Sequence, residues 1–255
     1  MRRRGALVIV VAVLLVAATL IAWPWVRVYT GAAPPEQFYA KVSASASTRG
    51  VLGIAHNAGN NPRTAGTALD YGAGVIEIDV TTARGRLVAG RAHGVRWLAE
   101  RVFRGSSLAS AWSYTSGAKI VKLDLQRNDR GLLDSLVDFL NHAPEHGQVM
   151  VSTRDADAIK YLRPRLPQGV ILLFSVPFPE AVAQLQADTA LTAAIGGISV
   201  FHGLVSADLV RWAHTRGLRV LAWTVNDQQG MDQLLRLGVD GITTANLAIL
   251  QALAS

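Results

Sequence analysis

From residue 51 onward, short apolar segments alternate with amphipathic ones, and this alternation restricts the possible folds more than any other feature of the sequence. Helical patterns, such as 130–142 and 206–216, lie between most of the apolar segments and are often followed by a glycine. Strands that are apolar nearly throughout indicate a parallel sheet covered by helices. Eight segments have the length and composition of such strands: 51–56, 74–81, 119–126, 148–154, 170–176, 196–202, 219–226 and 241–246.

Eight strands are the number that closes a (β/α)8 or TIM barrel, so we predict a single α/β barrel over residues 51–255. A doubly wound open sheet is the alternative. A barrel carries its chemistry at the C-terminal ends of its strands, and polar residues do fall there: His56, Glu77, Asp79, Asp124, Arg154, His202, Trp223 and Asn226. Segment 82–118 is too long for a simple connection and predicts an extra loop that carries His93.

Residues 1–30 predict a transmembrane anchor. Three arginines precede an apolar run of 22 residues, 5–26, which is long enough to span about 30 Å of hydrocarbon. The arginines favour the cytoplasm, so the predicted location is the cell membrane, with the C-terminal domain extracytoplasmic. A signal peptide cleaved near Ala32-Ala33 is the alternative. The small, proline-containing residues 31–50 are typical of a flexible linker.

The charge and the absence of cysteine exclude several classes of partner and ligand. Arginines within residues 1–30, which contain no acid, supply four charges of the net +7, and the rest of the chain has no dense basic stripe. We therefore predict no nucleic-acid partner. Because there is no cysteine, a metal ion would have oxygen or imidazole ligands.

The predicted strand 74–81 contains two carboxylates, Glu77 and Asp79. Alternate side chains of a strand point to the same face, so these two project together. Two close carboxylates resist ionisation unless a cation lies between them, and a hard divalent metal ion is the simplest such cation. Pairing with arginines inside the barrel is the structural alternative.

Several segments together resemble the glycerophosphodiester phosphodiesterase superfamily of (β/α)8 barrels. Three of them are 51–61 (VLGIAHNAGNN), 72–80 (GAGVIEIDV) and 120–125 (IVKLDL). The most specific pair is 220–226 (VLAWTVN) with 237–244 (LGVDGITT). The resemblance runs in order over residues from about 50 to 250 and implies the barrel fold that the strand pattern also predicts.

The details depart from the common bacterial members. Those members carry His-Arg-Gly and Pro-Glu-Asn-Thr, whereas this chain has 56–58 (HNA) and 60–63 (NNPR), so a phosphate-binding arginine and a glutamate metal ligand are absent. A lysine that is common after the third-strand acid is Gln126 here. The spacing from His56 to Glu77 and the position of His93 resemble the sphingomyelinase D branch, and 107–124 resembles the menorin-like proteins.

The resemblance implies that Glu77, Asp79 and Asp124 bind one Mg²⁺ or Ca²⁺ ion, whose preferred ligands are oxygens. It also implies that His56 and His93 act as acid and base, or that one of them is the nucleophile. His202 is predicted either to line the cleft or to be structural. His142, His146 and His214 lie on or just after helical segments and are predicted to be solvated. The predicted substrate-binding residues are Asn60, Lys122, Arg154, Trp223 and Asn226.

The function that the sequence predicts is metal-dependent cleavage of a glycerophosphodiester or a phospholipid head-group phosphodiester, by hydrolysis or by formation of a cyclic phosphate. The alternative is an inactive barrel that binds a phosphorylated ligand or a partner protein. Lys122 would also suit an aldolase-like enzyme, but the carboxylates beside it favour a metal site.

Overall fold

The eight predicted strands close into a parallel barrel. The computed structural model describes residues 50–91 and 105–254. The predicted anchor (1–30), linker residues 31–49 and His93 lie outside the described residues. Within the described ranges, no helix has the length and apolarity needed to cross a membrane.

Parallel pairing of the first strand with both the second and the last closes the barrel and excludes the open-sheet alternative. The second strand runs longer than predicted and returns as an antiparallel hairpin, and the strand that was predicted as 219–226 ends at Trp223. The strands are β1 (Leu52–Ala55), β2 (Val75–Ala83), β3 (Arg86–Ala89), β4 (Ile120–Leu125), β5 (Gln148–Thr153), β6 (Ile171–Val176), β7 (Gly197–Phe201), β8 (Arg219–Trp223) and β9 (Gly241–Thr244).

Helices cover the outside of the barrel, and polar side chains fix where several of them begin. Asp129, Asp155, Ser206 and Asp227 each accept a hydrogen bond from a backbone N–H of the first turn that follows. The described helices are α1 (Pro62–Asp70), α2 (Leu108–Tyr114), α3 (Arg130–His142), α4 (Ala156–Leu162), α5 (Pro179–Ala187), α6 (Thr189–Ala194), α7 (Ala207–His214), α8 (Gln228–Leu237) and α9 (Leu247–Ala254).

The barrel interior is apolar at the N-terminal end of the strands. A buried cluster of inward-facing side chains fills this end: Ile54, Val75, Met150, Leu173 and Leu221. Glycine is needed beside the cluster, because a Cβ atom on Gly241 would lie 2.7 Å from Leu221 Cδ2. The interior is therefore filled with apolar side chains at this end, and on β2 and β4 the inward-facing polar side chains begin with Glu77 and Lys122 and continue with Asp79 and Asp124.

Truncation of Leu173 to alanine should lower the free energy of unfolding by about 2 to 5 kcal/mol, because it leaves a cavity in this cluster. Chemical denaturation monitored by circular dichroism measures the change. Leu204→Ala is the control, since that side chain is partly exposed and its loss should cost less. Equal costs for the two variants would contradict the described packing.

Candidate active site

Carboxylates from two neighbouring strands meet at the C-terminal end of the barrel. The register of β2 and β4 places Glu77 opposite Lys122 and Asp79 opposite Asp124. Glu77, Lys122 and Asp124 border a cleft of about 180 Å³. The cleft is lined by His56, Glu77, Arg91, Lys122, Asp124, Gln126, Arg154, Ser175, Pro177, Ser199, Trp223, Thr224 and Thr243.

Glu77 forms a buried ion pair with Lys122. The Lys122 Nζ atom donates to Glu77 Oε2 at 2.6 Å, and both side chains are buried. Burial alone would raise the pKa of Glu77, but the positive charge of Lys122 outweighs burial and holds this pKa below its ordinary value. Burial would likewise lower the pKa of Lys122, but Glu77 and Asp124 hold it above its ordinary value. Both partners are therefore charged at neutral pH.

Asp79 lies fully buried behind the cleft and accepts hydrogen bonds from three side chains. Asn60 Nδ2 and Arg91 Nε donate to Oδ2 at 2.8 and 3.0 Å, and Gln126 Nε2 donates to Oδ1 at 2.7 Å. Burial nevertheless raises the pKa of Asp79 to about 7, because the favourable charge of Arg91 is opposed by Glu77 and Asp124. The pairing with an arginine that the sequence left open is thus present at Asp79.

Asp124 shares one hydrogen-bond donor with Asp79. The Gln126 Nε2 atom that contacts Asp79 Oδ1 also donates to Asp124 Oδ2 at 2.7 Å, so these two carboxylate oxygens converge on one point. Burial and the charge of Glu77 raise the pKa of Asp124, while Lys122 opposes them. The neighbouring donors and cations therefore offset the cost of burying a charge fully at Glu77 but only in part at Asp79 and Asp124.

His56 lies at the edge of this group. Its Nε2 atom is 3.9 Å from Glu77 Oε1, and burial lowers its pKa, so the imidazole is neutral at pH 7. With its amide nitrogen oriented toward the acids, Asn57 lies 3.0 Å from both Glu77 Oε1 and Asp79 Oδ2 and accepts from His56 Nε2 at 3.3 Å. A neutral imidazole beside the cleft is suited to accept a proton.

Comparison with known proteins agrees with this architecture. Residues 96–248 match the model of the Glycerophosphoryl diester phosphodiesterase family, which is more than half of the chain. The chain belongs to this family. The predicted superfamily and its enzyme class, the phosphoric diester hydrolases, are confirmed at this level. The closer resemblance to the sphingomyelinase D and menorin-like branches stays a prediction.

Two solved structures show the shared fold of the family. One is a phosphodiesterase from Oleispira antarctica in complex with the product sn-glycerol-3-phosphate, with a TM-score of 0.66 and 17% identity, covering 79% of this chain and 96% of that chain. Another is a glycerophosphodiester phosphodiesterase from Parabacteroides distasonis, with a TM-score of 0.65 and 18% identity, covering 80% of this chain and 97% of that chain.

A sequence relative matches over a shorter stretch. A glycerophosphodiester phosphodiesterase from Arabidopsis thaliana is 39% identical over 56 residues, which is 22% of this chain and 17% of that relative. This chain therefore matches about a sixth of the length of that curated relative.

The remaining predicted site residues of the family member separate into two groups. Arg154 and Trp223 line the cleft, and Asn60 holds Asp79 behind it. Asn226 lies outside the cleft lining, where its Oδ1 atom accepts from Thr244 Oγ1 and the Ala245 N–H. Asn226 thus joins the segments that follow β8 and β9.

Among the described residues, His142, His146, His202 and His214 are not part of the cleft lining, and one prediction about them is wrong. His202 is in a short 3₁₀ turn with its ring 4.6 Å from that of Phe201. His146 was predicted to be solvated, but its ring packs 4.6 Å from Trp112 and both ring nitrogens are buried. His146 lies in the connection between α3 and β5, where Trp112 of α2 covers its ring, and a contact between segments this far apart could not be inferred from the helical pattern.

Two residues that contact the acids, Asn57 and Arg91, were not singled out by the sequence. Asn57 adopts a left-handed backbone conformation with φ of 57°, which asparagine tolerates better than most residues, and this directs its amide at the acids. Arg91 follows the β2–β3 hairpin. The signal for Asn57 was its place next to His56, and no sequence signal for Arg91 exists without the hairpin.

The raised pKa of Asp79 predicts a pH dependence of stability in metal-free protein. The folded state holds the proton up to about pH 7, whereas an unfolded aspartate releases it near its ordinary value of 3.8, so the free energy of unfolding should fall as pH rises between these values. Asp79→Asn should remove part of this fall, on the order of a few kcal/mol of unfolding free energy over the whole pH range. Denaturant titrations at several pH values measure it.

Asp208→Asn, a change at an exposed carboxylate of α7, is the control and should leave the slope unchanged. A slope that is the same in Asp79→Asn as in the wild type would show that Asp79 is ionised across this range.

Proposed function

We propose that this chain is a metal-dependent phosphodiesterase that cleaves a glycerophosphodiester or the head-group phosphodiester of a phospholipid. The observation that carries the proposal is the meeting of three carboxylates and a neutral histidine at one cleft at the C-terminal end of the barrel. Catalytic groups of this fold lie at that end. Membership of the family supports the phosphodiester as the bond that is cleaved.

The acidic residues have the chemistry that a hard divalent cation such as Mg²⁺ or Ca²⁺ prefers, although no three acids or histidines of the described residues are already arranged as a metal site. Oxygens of Asp79 and Asp124 converge on the Gln126 amide, and oxygens of Glu77 and Asp79 converge on the Asn57 amide. Carboxylate oxygens are the ligands that these cations prefer. Glu77, Asp79 and Asp124 would hold the ion, which when bound would polarise the phosphoryl oxygens of the substrate.

His56 is the proposed general base. Because burial keeps its imidazole neutral, it can accept a proton from the attacking oxygen, with Glu77 Oε1 3.9 Å away to stabilise the imidazolium that results. Attack by water gives hydrolysis, and attack by a substrate hydroxyl next to the phosphate gives a cyclic phosphate. His93 is the proposed partner acid for the leaving oxygen.

The predicted anchor supplies the proposed location. If residues 1–30 span a membrane, the barrel is held close to lipid on the extracytoplasmic side, where phospholipids and the diesters derived from them are both within reach. This location is a proposal from the sequence pattern.

His56→Ala should reduce the rate of phosphodiester cleavage about 100-fold or more, because the proton acceptor is lost. The assay is release of product from sn-glycero-3-phosphocholine and from lysophospholipid micelles with added Mg²⁺ or Ca²⁺, using the full chain. Phosphorus NMR of the product distinguishes hydrolysis from cyclisation. His142→Ala is the matched control, since that histidine is exposed on α3 and should not affect the rate. Equal rates in both variants would eliminate His56 as a catalytic group.

Asp124→Asn should weaken binding of Mg²⁺ or Mn²⁺ about tenfold or more, because one anionic oxygen ligand is lost. Isothermal titration calorimetry with each metal measures this without relying on activity. Asp134→Asn, a change on the outer helix α3, serves as the control. Cation binding that is unaffected by Asp124→Asn would place the metal elsewhere.

A binding protein without turnover is the second candidate, and one observation favours it. Donors of the protein itself already satisfy the carboxylates, since Lys122 contacts Glu77, and Gln126 contacts both Asp79 and Asp124. Such a barrel would bind a phosphorylated ligand or partner with no need for a metal ion. Absence of cleavage in the wild type, with binding of phosphate that is equal with and without metal, would support this candidate.

A further inference from the structure

We infer that Arg91 binds the phosphate group of the ligand in this cleft. The inference deepens the proposed function and rests on it for the phosphodiester as substrate. It adds a role for a residue that follows the β2–β3 hairpin and that the sequence pattern did not single out.

The acids of the cleft favour a nearby cation. A phosphodiester is an anion, and in this cleft it would lie beside Glu77 and Asp124, with Asp79 buried behind them. At short range in a partly buried site, such like charges repel strongly. A positively charged side chain that faces the phosphate would offset this repulsion.

The cleft lining contains three cationic side chains, which differ in how they are engaged. Lys122 is only 3% exposed, and its ammonium group lies 2.6 Å from Glu77 Oε2, so its charge is neutralised by that buried carboxylate. Arg154 is exposed to solvent, and no hydrogen bond or ion pair within the described residues orients its side chain. Arg91 is 38% exposed at the cleft and borders Asp79, which places its charge between the buried acids and the open space.

The hairpin fixes where Arg91 lies. After β3 ends at Ala89, the Gly90 N–H donates to the Asp79 carbonyl oxygen at 2.8 Å, with a φ of 125° that favours glycine. This bond ties the backbone next to Arg91 to the strand that carries the acids. The Arg91 side chain then reaches back to the carboxylate of the same residue.

The geometry of the guanidinium group suits phosphate. Arg91 uses its Nε–H on Asp79 Oδ2 at 3.0 Å, which orients the planar group. The four remaining N–H donors of an arginine are on its two terminal nitrogens, in the fork arrangement that matches two phosphate oxygens. Asp79 thus acts as a positioning residue for Arg91.

Neutral residues elsewhere leave this task to Arg91. Positions 57 and 126, where the resemblance implies an arginine and a lysine, hold Asn57 and Gln126, and both amides donate to the acids. Neither of them brings a charge to the phosphate.

The test measures phosphate binding directly. Inorganic phosphate and sn-glycerol-3-phosphate are titrated into the full chain by isothermal titration calorimetry, for the wild type, Arg91→Gln, Arg91→Lys and the control Arg211→Gln, whose arginine is exposed on α7. We expect Arg91→Gln to weaken both ligands about tenfold or more, Arg91→Lys to restore part of the affinity, and the control to match the wild type.

Kinetics and thermal unfolding separate this role from a structural one. Arg91→Gln should raise KM for sn-glycero-3-phosphocholine about 10-fold or more and change kcat less, because a phosphate contact is made in both the ground and transition states. If Arg91 only neutralises Asp79, Arg91→Gln would lower the melting temperature and leave phosphate affinity unchanged, which would overturn the inference. If Arg91→Gln does not fold, weaker phosphate binding by Arg91→Lys than by the wild type decides the question.

Failure of the inference and failure of the proposed function give different results. A wild type that cleaves the diester while Arg91→Gln binds phosphate equally well would overturn the role of Arg91 alone. A wild type that cleaves nothing but binds phosphate through Arg91 would overturn the enzymatic function and keep the inference. A wild type that binds neither phosphate nor sn-glycerol-3-phosphate would overturn the inference.

Discussion

Burying acids inside a barrel requires positive charge nearby, and this constraint organises the whole cleft. Desolvation of a carboxylate costs several kcal/mol unless a cation or hydrogen-bond donors offset it. At Glu77, the charge of Lys122 outweighs the cost of burial, so the pKa of Glu77 lies below its ordinary value. At Asp79, burial raises the pKa to about 7 although Asn60, Arg91 and Gln126 donate hydrogen bonds to it. The positive charges of the protein therefore stabilise the ionised form of Glu77 more fully than that of Asp79.

The alternation of eight apolar segments with helical patterns made the fold predictable, and the period of two along a strand made it predictable that Glu77 and Asp79 share a face. On β2, the apolar Val75 faces inward at the start of the strand, and Glu77 and Asp79 follow on the same face. This order can be read from the sequence alone. What could not be predicted depends on contacts between distant segments. Arg91 comes to the cleft only because β2 continues into a hairpin, and the amide of Asn57 reaches the acids only because its backbone is left-handed.

The same period shows how the charge of this family member is rearranged. Residues 122, 124 and 126 of β4 and its extension share the inward face, so a lysine at any of them would point into the barrel. In this chain the lysine is at 122, so its positive charge lies deep in the barrel against Glu77. Position 126, nearer the mouth of the cleft, holds the neutral amide of Gln126. A phosphate at the mouth then depends on side chains that other elements supply, and Arg91 and Arg154 are the cations there.

Formal charges show that the acids and cations of this cleft balance. Glu77, Asp79 and Asp124, when ionised, carry three negative charges against the three positive charges of Lys122, Arg91 and Arg154, with His56 neutral. Loss of the charge of Arg91 would leave one negative charge in excess. Because the cleft is partly desolvated, that excess would repel an anionic ligand at short range.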